Sequence, residues 1–452
     1  MSVLDVEFGY HSLSRFHKKP TFSELILSHH AELDEINHVP CFFTGSITEP
    51  VLTARCLMTL AKVVRASFAP IPVRLLDPIV TTGCDTIRFE GFSSCNGIYA
   101  RLDVVGDGLD GEFLASGTTN VDFNDPMINA LNAVKKDELM LLAVGDDNVR
   151  VQTETADVTE KKVKLPERWI KGLTCVQVYM AQMTPKAVLN KLQVMQFFAQ
   201  IPKARRTAPI YLVGMGNRYQ MSPLPKADAI HIGGVERLRL FESLLPFVDK
   251  MAIYQADGEQ SVAFEFYMKN TVMTAVLSPE CYRGFSGEGA VLDKLTDIPV
   301  EFVHAFNHIL KANESFDPTL ISFEYDLDFG AIERMTASLS AMGLLGYDLG
   351  KSEHYYRRLP FKMEKIMALN PRFKNAKKLT HAQDVQFIKN TPLDIEARVA
   401  GTDVVHTVVI KGDKPKCTCQ WFAKHETKRG LCKHILAVKM ASAEQSSSVK
   451  LT

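Results

Sequence analysis

The chain has 452 residues, 46% hydrophobic and 23% charged, which is ordinary globular composition and enough for roughly two to four domains with buried cores. Lysine plus arginine equals aspartate plus glutamate at 52 each, which excludes a general polyanion binder, and no run nears the roughly 18 apolar residues of a membrane span. The N-terminus also lacks the apolar run of a signal peptide, so a cytoplasmic protein is expected.

The first forty residues show no strong periodicity, and the adjacent His29 and His30 read as surface residues. From Cys41 the pattern sharpens. FFTGSI has the look of a strand, and Glu49-Pro50 opens a helix whose apolar face is Leu52, Cys56, Leu57, Leu60, Val63 and Val64, ending near Phe68. Strands are expected at Thr86–Phe92, Gly97–Val105, Leu139–Val144 and Val149–Thr153, with a short helix after Pro126. That pattern describes an N-terminal α+β domain, residues 1–155.

The charged run DVTEKKVK reads as a linker. Beyond it, PERWIKGLTCVQVYMAQM and PKAVLNKLQVMQFFAQI both have helical spacing and a leading proline, which suggests an antiparallel helical hairpin. Strands at Ile210–Val213, Lys250–Tyr254, Ser261–Tyr267 and Val272–Leu277, with a helix near Val235–Leu245, complete a second α+β domain, residues 156–295. Val213–Tyr219 (VGMGNRY) reads as a tight turn, since it lacks the third glycine and following helix of a dinucleotide site. Gly284–Gly289 (GFSGEG) precedes a helical segment but carries Glu288, which repels phosphate; a structural turn is expected, with a ligand or partner site as the alternative.

Residues 296–390 have the plan of a winged helix followed by a basic connector. Val300–Ala312 and Gly330–Gly343 have helical spacing, and GYDL, a turn at Gly350–Glu353 and HYYRRLPF form a hairpin. Gly330–Gly343 stands in the recognition-helix position with only Glu333 and Arg334 as charges, so it is poorly equipped to read bases. Arg357 and Arg358 on the wing are candidate phosphate contacts. In the connector, Arg372, Lys374, Lys377 and Lys378 lie close enough to form one basic patch. From Ala331 to the end there are 21 basic against 11 acidic side chains, so any nucleic-acid surface belongs near the C-terminus. Neutralising an acidic region of this or a partner protein is the alternative use of that charge.

Residues 391–441 carry the sharpest chemistry. Leu393–Val399 and Val404–Ile410 alternate apolar and polar residues around Gly401-Thr402-Asp403, a hairpin signal leading into KCTCQWFAKHETKRGLCKHILAVKM. Cys417 and Cys419, two apart in an extended segment, project to one side; Cys432 and His434 repeat that spacing after twelve intervening residues, just before a short amphipathic helix. Three sulfurs and one imidazole form a closed set that suits tetrahedral Zn²⁺ and not Mg²⁺ or Ca²⁺, so one structural zinc is expected. The segment is too polar for its own core, and metal replaces it. Trp421 and Phe422 are placed as an apolar lid, with base stacking by Trp421 as the alternative. Lys424, Lys428 and Arg429 add to the candidate phosphate contacts. The other cysteines (Cys41, Cys56, Cys84, Cys95, Cys175, Cys281) are scattered in apolar contexts and read as reduced core residues, and the Ser/Gln-rich tail 442–452 as disordered.

The Cys-x-Cys, twelve residues, Cys-x-His arrangement resembles the SWIM zinc finger, a ββα module. FSSCNGIYARLD with GTTNVDFN, KLPERWIKGL and CYRGFSGEGAVLD also resemble the bacterial group called SWIM zinc finger family proteins, so the resemblance spans most of the chain from about Phe42. It implies DNA binding or protein contacts, with a MoxR-type ATPase or a von Willebrand factor A protein among the implied partners and an adaptor role beside them. No Walker motif, Gly-x-Ser-x-Gly elbow or His-Glu-x-x-His is present, so neither catalytic nor cofactor-binding residues are assigned. A zinc-stabilised binding protein is the leading reading; an enzyme with its site in residues 1–295 is the rival. The fold class expected is α+β and multidomain: two α+β units, a winged-helix-like segment and a small zinc finger.

Overall fold

The structure is a computed structural model. It describes short strand pairs at 8–9, 15–18, 23–26 and 31–32, and residues 41–449 apart from 69–77, 84, 164, 166, 205–207, 209, 257–260, 280–283, 286–314, 325, 358, 360–370, 383, 402–403, 413 and 428–429. It is multidomain α+β, with several sheets and a separate C-terminal finger. Among the described residues no helix is long and apolar enough to cross a membrane.

An eight-stranded antiparallel sheet organises the body. Its order is Gly117–Asn120, Ile79–Gly83, Thr86–Phe92, Ile98–Val105, Thr271–Leu277, Val262–Met268, Lys250–Gln255 and Thr184–Asn190. Strands from either side of residue 155 are therefore neighbours in one sheet, joined where Ile98–Val105 pairs with Thr271–Leu277. A five-stranded sheet stands beside it, ordered Asp157–Lys161, Asn148–Gln152, Leu141–Gly145, Cys41–Ile47 and Leu109–Phe113. The run read as a linker is thus the outer strand Asp157–Lys161, paired with Asn148–Gln152. Its buried Glu160 accepts from the backbone and side chain of Asn124 at the start of helix Asp125–Ala133, which ties the charged run to the domain.

The second correction concerns the expected helical hairpin. Its first half is helix Glu167–Met180, but Thr184–Asn190 is an edge strand and the next helix starts only at Lys191. Ala187 and Leu189 are buried while Lys186, Val188 and Asn190 face out, the period of two that a strand requires. Asn190 then stops the strand and starts the helix. Its side chain accepts from Gln193 N at 3.0 Å, and the Gln193 side chain accepts from Asn190 N at 2.9 Å, a capping box.

The two faces of the large sheet differ in kind. Cross-strand register puts Phe89, Leu102, Met273 and Phe266 on one face, where helix Pro50–Arg65 and the 3-10 segment Val235–Leu244 cover them and Phe241 stacks on Phe266 at 5.6 Å. The same register puts Arg88, Glu90, Arg101, Asp103 and Glu265 on the other. Every one of these charged residues is buried. What covers them is the hairpin of Leu345–Asp348 and Glu353–Tyr356, with helix Glu167–Met180 beside it.

That contact is polar and closely matched. Arg101 pairs with Asp103 at 2.8 Å and donates to the Tyr347 carbonyl at 2.6 Å, while Tyr99 donates to Glu90 at 2.6 Å. Gln177 accepts from Tyr347 N at 2.8 Å, and the Arg88 guanidinium lies 3.9 Å over the Tyr355 ring. Arg357 forms an ion pair with Glu90, both side chains at 1% exposure or less. Helices Pro318–Glu324 and Phe329–Ala341 precede this hairpin, which faces inward onto the large sheet. Helix Phe329–Ala341 packs on Glu167–Met180, leaving Glu333 and Arg334 exposed. The expected helix at Val300–Ala312 and most of Gly284–Gly289 lie outside the described residues. Val213–Tyr219 is a hairpin turn, as read, with Gly216 at φ +60°.

Removing one member of a buried ion pair leaves the other charge uncompensated, at a typical cost of about 3–5 kcal/mol. Arg357→Met should therefore lower the urea midpoint of the body substantially. The double variant Arg357→Met with Glu90→Leu should recover most of the loss. Equilibrium unfolding of the four proteins of this cycle, with a clear positive coupling between the two positions, is the measurement.

Candidate metal centre

The finger starts earlier than residue 391. A four-stranded antiparallel meander, Val385–Thr391, Asp394–Ala400, Val405–Lys411 and Lys414–Cys417, forms its sheet. Helix Lys433–Val449 packs on one face of all four strands, and the connector helix Pro371–His381 packs on that helix in turn. The order of layers is sheet, C-terminal helix, connector helix. This explains why Ile435, Leu436, Ala437 and Val438 are all fully buried although they point around the whole helix circumference. The tail expected to be disordered instead continues the helix to Val449; Ser442 and Gln445 hold Asn390 of the first strand at 2.8 and 2.9 Å.

Alternation along the strands decides where the ligands point. Cys417 pairs with Val408 in register, on the buried face with Ala397. Cys419 follows as the N-cap of the short helix Gln420–His425, its sulfur accepting from Phe422 N at 3.4 Å. Cys432 and His434 sit at the start of the C-terminal helix. One ligand atom from each of Cys417, Cys419, Cys432 and His434 lies within 4.8 Å of all the others, and all four residues are buried. His434 turns Nδ1 toward the sulfurs, 3.8 Å from Cys417 Sγ. Zinc–sulfur and zinc–nitrogen bonds of about 2.3 and 2.0 Å in a tetrahedron put sulfur and nitrogen about 3.6 Å apart, so little movement closes the set on a metal.

The thiols are electrostatically unequal. Hydrogen bonding from Cys417 pulls the Cys432 thiol down to about 4, and the same proton, shared with that sulfur, pushes Cys417 up. Burial pushes Cys419 up. Bound Zn²⁺ would supply the positive charge that displaces the thiol protons. The tetrad is positioned to bind one zinc ion, and with four protein donors it is a structural site.

Trp421 and Phe422 pack against the core beside the ligands, as expected of a lid. The Arg372 guanidinium lies 4.5 Å over the Trp421 ring, and His425 stands 4.9 Å from the same ring. Arg372 also donates to the carbonyl of Leu431, the residue before Cys432, at 3.0 Å. It therefore works as a strut from the connector helix to the zinc loop rather than as part of the connector's outward basic patch. His406, which sequence reasoning passed over, lies with its ring centre 4.3 Å from that of His434. Only the strand register could have found it: His406 falls on the buried face with Val399.

The remaining candidates separate cleanly. Lys374, Lys378 and Lys424 are exposed and Lys377 is half-buried. Arg357 is a correction: with 2% exposure and Glu90 as partner it cannot reach a phosphate. Arg358, Lys428 and Arg429 lie outside the described residues.

Residues 406–443 match the family model of the SWIM zinc finger. This segment is a SWIM zinc finger. No curated protein matches the chain. Among solved structures, the proliferating cellular nuclear antigen of Entamoeba histolytica aligns at 14% identity with a TM-score of 0.36, and the PCNA2-PCNA3 complex of Sulfolobus tokodaii at 9% identity with a TM-score of 0.38. Each alignment covers 53% of this chain and 99% of the other, and at these identities and TM-scores both are distant.

Loss of one ligand should empty the SWIM site. Cys417→Ser is expected to abolish bound zinc, by elemental analysis of reduced protein, while the large sheet keeps its thermal transition. In a Trp169→Phe background Trp421 is the only tryptophan, since the chain has two. Chelation should then shift its emission to the red, and Arg372→Ala should produce part of that shift with zinc still bound, at a cost of about 0.5–1 kcal/mol.

Proposed function

We propose that the SWIM finger and its connector helix form a nucleic-acid-binding module that contacts phosphates through Lys374, Lys377, Lys378, Lys424, Lys428 and Arg429. The observation that carries this is the exposure of Lys374, Lys378 and Lys424 on a unit in which Arg372 ties the connector helix to the ligand loop. Lys374 and Lys378 are four apart on the connector helix and so share one face. A rigid set of cations suits a regular array of phosphates, because little side-chain and loop ordering is left to oppose binding.

Phosphate contacts position a protein on a duplex without reading its sequence. The inward-facing hairpin and the poorly charged helix Phe329–Ala341 support the same reading, since neither offers a base-reading surface. Binding of this kind is sequence-tolerant and steeply salt-dependent. The body, carrying the excess of acidic residues, is then the part that docks partners, in keeping with the adaptor role the family resemblance implies.

Fluorescence anisotropy of the full zinc-loaded chain on a short duplex at several salt concentrations tests the proposal. With about three to five phosphates neutralised, log K against log salt should slope at about −3 to −5. Replacing Lys374, Lys378 and Lys424 together by Ser should flatten the slope by about two to three units while zinc stays at one per chain. Absence of binding at low salt, or binding indifferent to salt, would reject nucleic acid in favour of a protein partner such as a MoxR-type ATPase.

A further inference from the structure

The finger's sheet has a second face that no element of the described residues covers. The C-terminal helix packs on the face bearing Val385, Phe387, Ala397, Val399, Val408 and Ile410. Register places the opposite set together: Arg398 beside Thr407, then Lys389, Glu396, Val409 and Lys416 in one row, and Asp394, Lys411 and Lys414 in the next. Five cations thus share this face with two carboxylates. Asp394 is matched by Lys389 at 2.5 Å and by the nearby Lys411. Arg398, Lys414 and Lys416 are exposed and carry no ion pair among the described residues.

We propose that this open face is a second phosphate-contacting surface for duplex nucleic acid, lying across the module from the connector-helix lysines. The inference rests on the nucleic-acid reading above and adds a site to it. Three observations favour a duplex backbone as the occupant. Five cations against two carboxylates leave the face net positive, which complements a polyanion. Lys414 and Lys416, two apart on an edge strand, recur about 6.6 Å apart along a straight line, as a strand's rise dictates. The residues between the cations are the short Thr407 and Val409, so a flat ligand can approach closely. The described residues of this face include no aromatic side chain, which removes the stacking platform that single strands need.

The layer order gives the proposal its consequence. Because the C-terminal helix separates the sheet from the connector helix, the two basic surfaces point in opposite directions, and one module can touch two duplex segments. Zinc bound at the tetrad would hold the last strand of the sheet through Cys417, one residue from Lys416, so this surface would depend on the metal.

The test uses the full zinc-loaded chain and a short mixed-sequence duplex. Replacing Arg398, Lys414 and Lys416 together by Ser should leave zinc in place and make the salt slope shallower by about two to three units. As a second measurement on the unaltered protein, duplex should protect Lys414 and Lys416 from an amine-acetylating reagent. Failure of the duplex to protect them, or a slope equal to wild type in the sheet-face variant while the connector-helix variant flattens it, overturns this inference and leaves the proposed function standing. No duplex binding by the wild-type chain overturns both. Displacement of duplex from these lysines by polyglutamate at lower charge concentration than by competing duplex would reassign the face to an acidic protein and overturn the inference as well.

Discussion

The body depends on a buried charge assembly between the large sheet and the hairpin Leu345–Tyr356. Glu90, Arg101, Asp103 and Arg357 are all withdrawn from water, and each is held by an opposite charge or a carbonyl at hydrogen-bond distance. Burying such groups is costly in isolation, and only close pairing offsets the cost. The hairpin can therefore dock in one register: a shift by one residue would move Arg357 away from Glu90 and turn Tyr355 away from Arg88. The apolar face of the same sheet is less selective, because hydrophobic contact is not directional. Position of the hairpin, and with it the start of the connector, follows from the polar face.

The finger is held in a different way. Its sheet has one covered face and one open face, and its ligand loop has little apolar material of its own. A closed Cys₃His set does there what a core does in the body. Arg372 extends this to the connector helix by touching both Trp421 and the Leu431 carbonyl. A helix that sequence reasoning treated as a connector is thereby part of the zinc-dependent unit, and its lysines inherit a fixed orientation from the metal site. Chelation should consequently reach Arg372, far upstream of the last ligand His434, a coupling that follows from three-layer packing rather than from chain proximity.

The zinc ligands were legible because metal chemistry restricts residue type and spacing together: few structural roles besides metal binding call for Cys-x-Cys and Cys-x-His in one short segment. The strands Thr86–Phe92 and Lys250–Gln255 were legible from β-branched and aromatic runs bounded by polar turns. Thr184–Asn190 was misread as helix because Val188 and Leu189 suit either period, and the decisive signal, Asn190 three residues before Gln193, is a cap that stands inside the run. Asp157–Lys161 was misread as linker because an edge strand with one buried residue looks like any charged segment.

The sequence by itself determined the metal, its ligands and the uneven charge along the chain, because these depend on residue identity and on separations of a few positions. Only the tertiary structure decided which cations are available. Arg357 and Lys374 carry the same charge and lie in the same region, yet one meets Glu90 across 267 positions of chain and the other meets solvent. The open face of the finger's sheet was likewise invisible in the chain order, since Arg398, Lys414 and Lys416 come together only through the register of three strands. Charge is a property of the residue, but its accessibility is set by long-range pairing, and no local pattern encodes that.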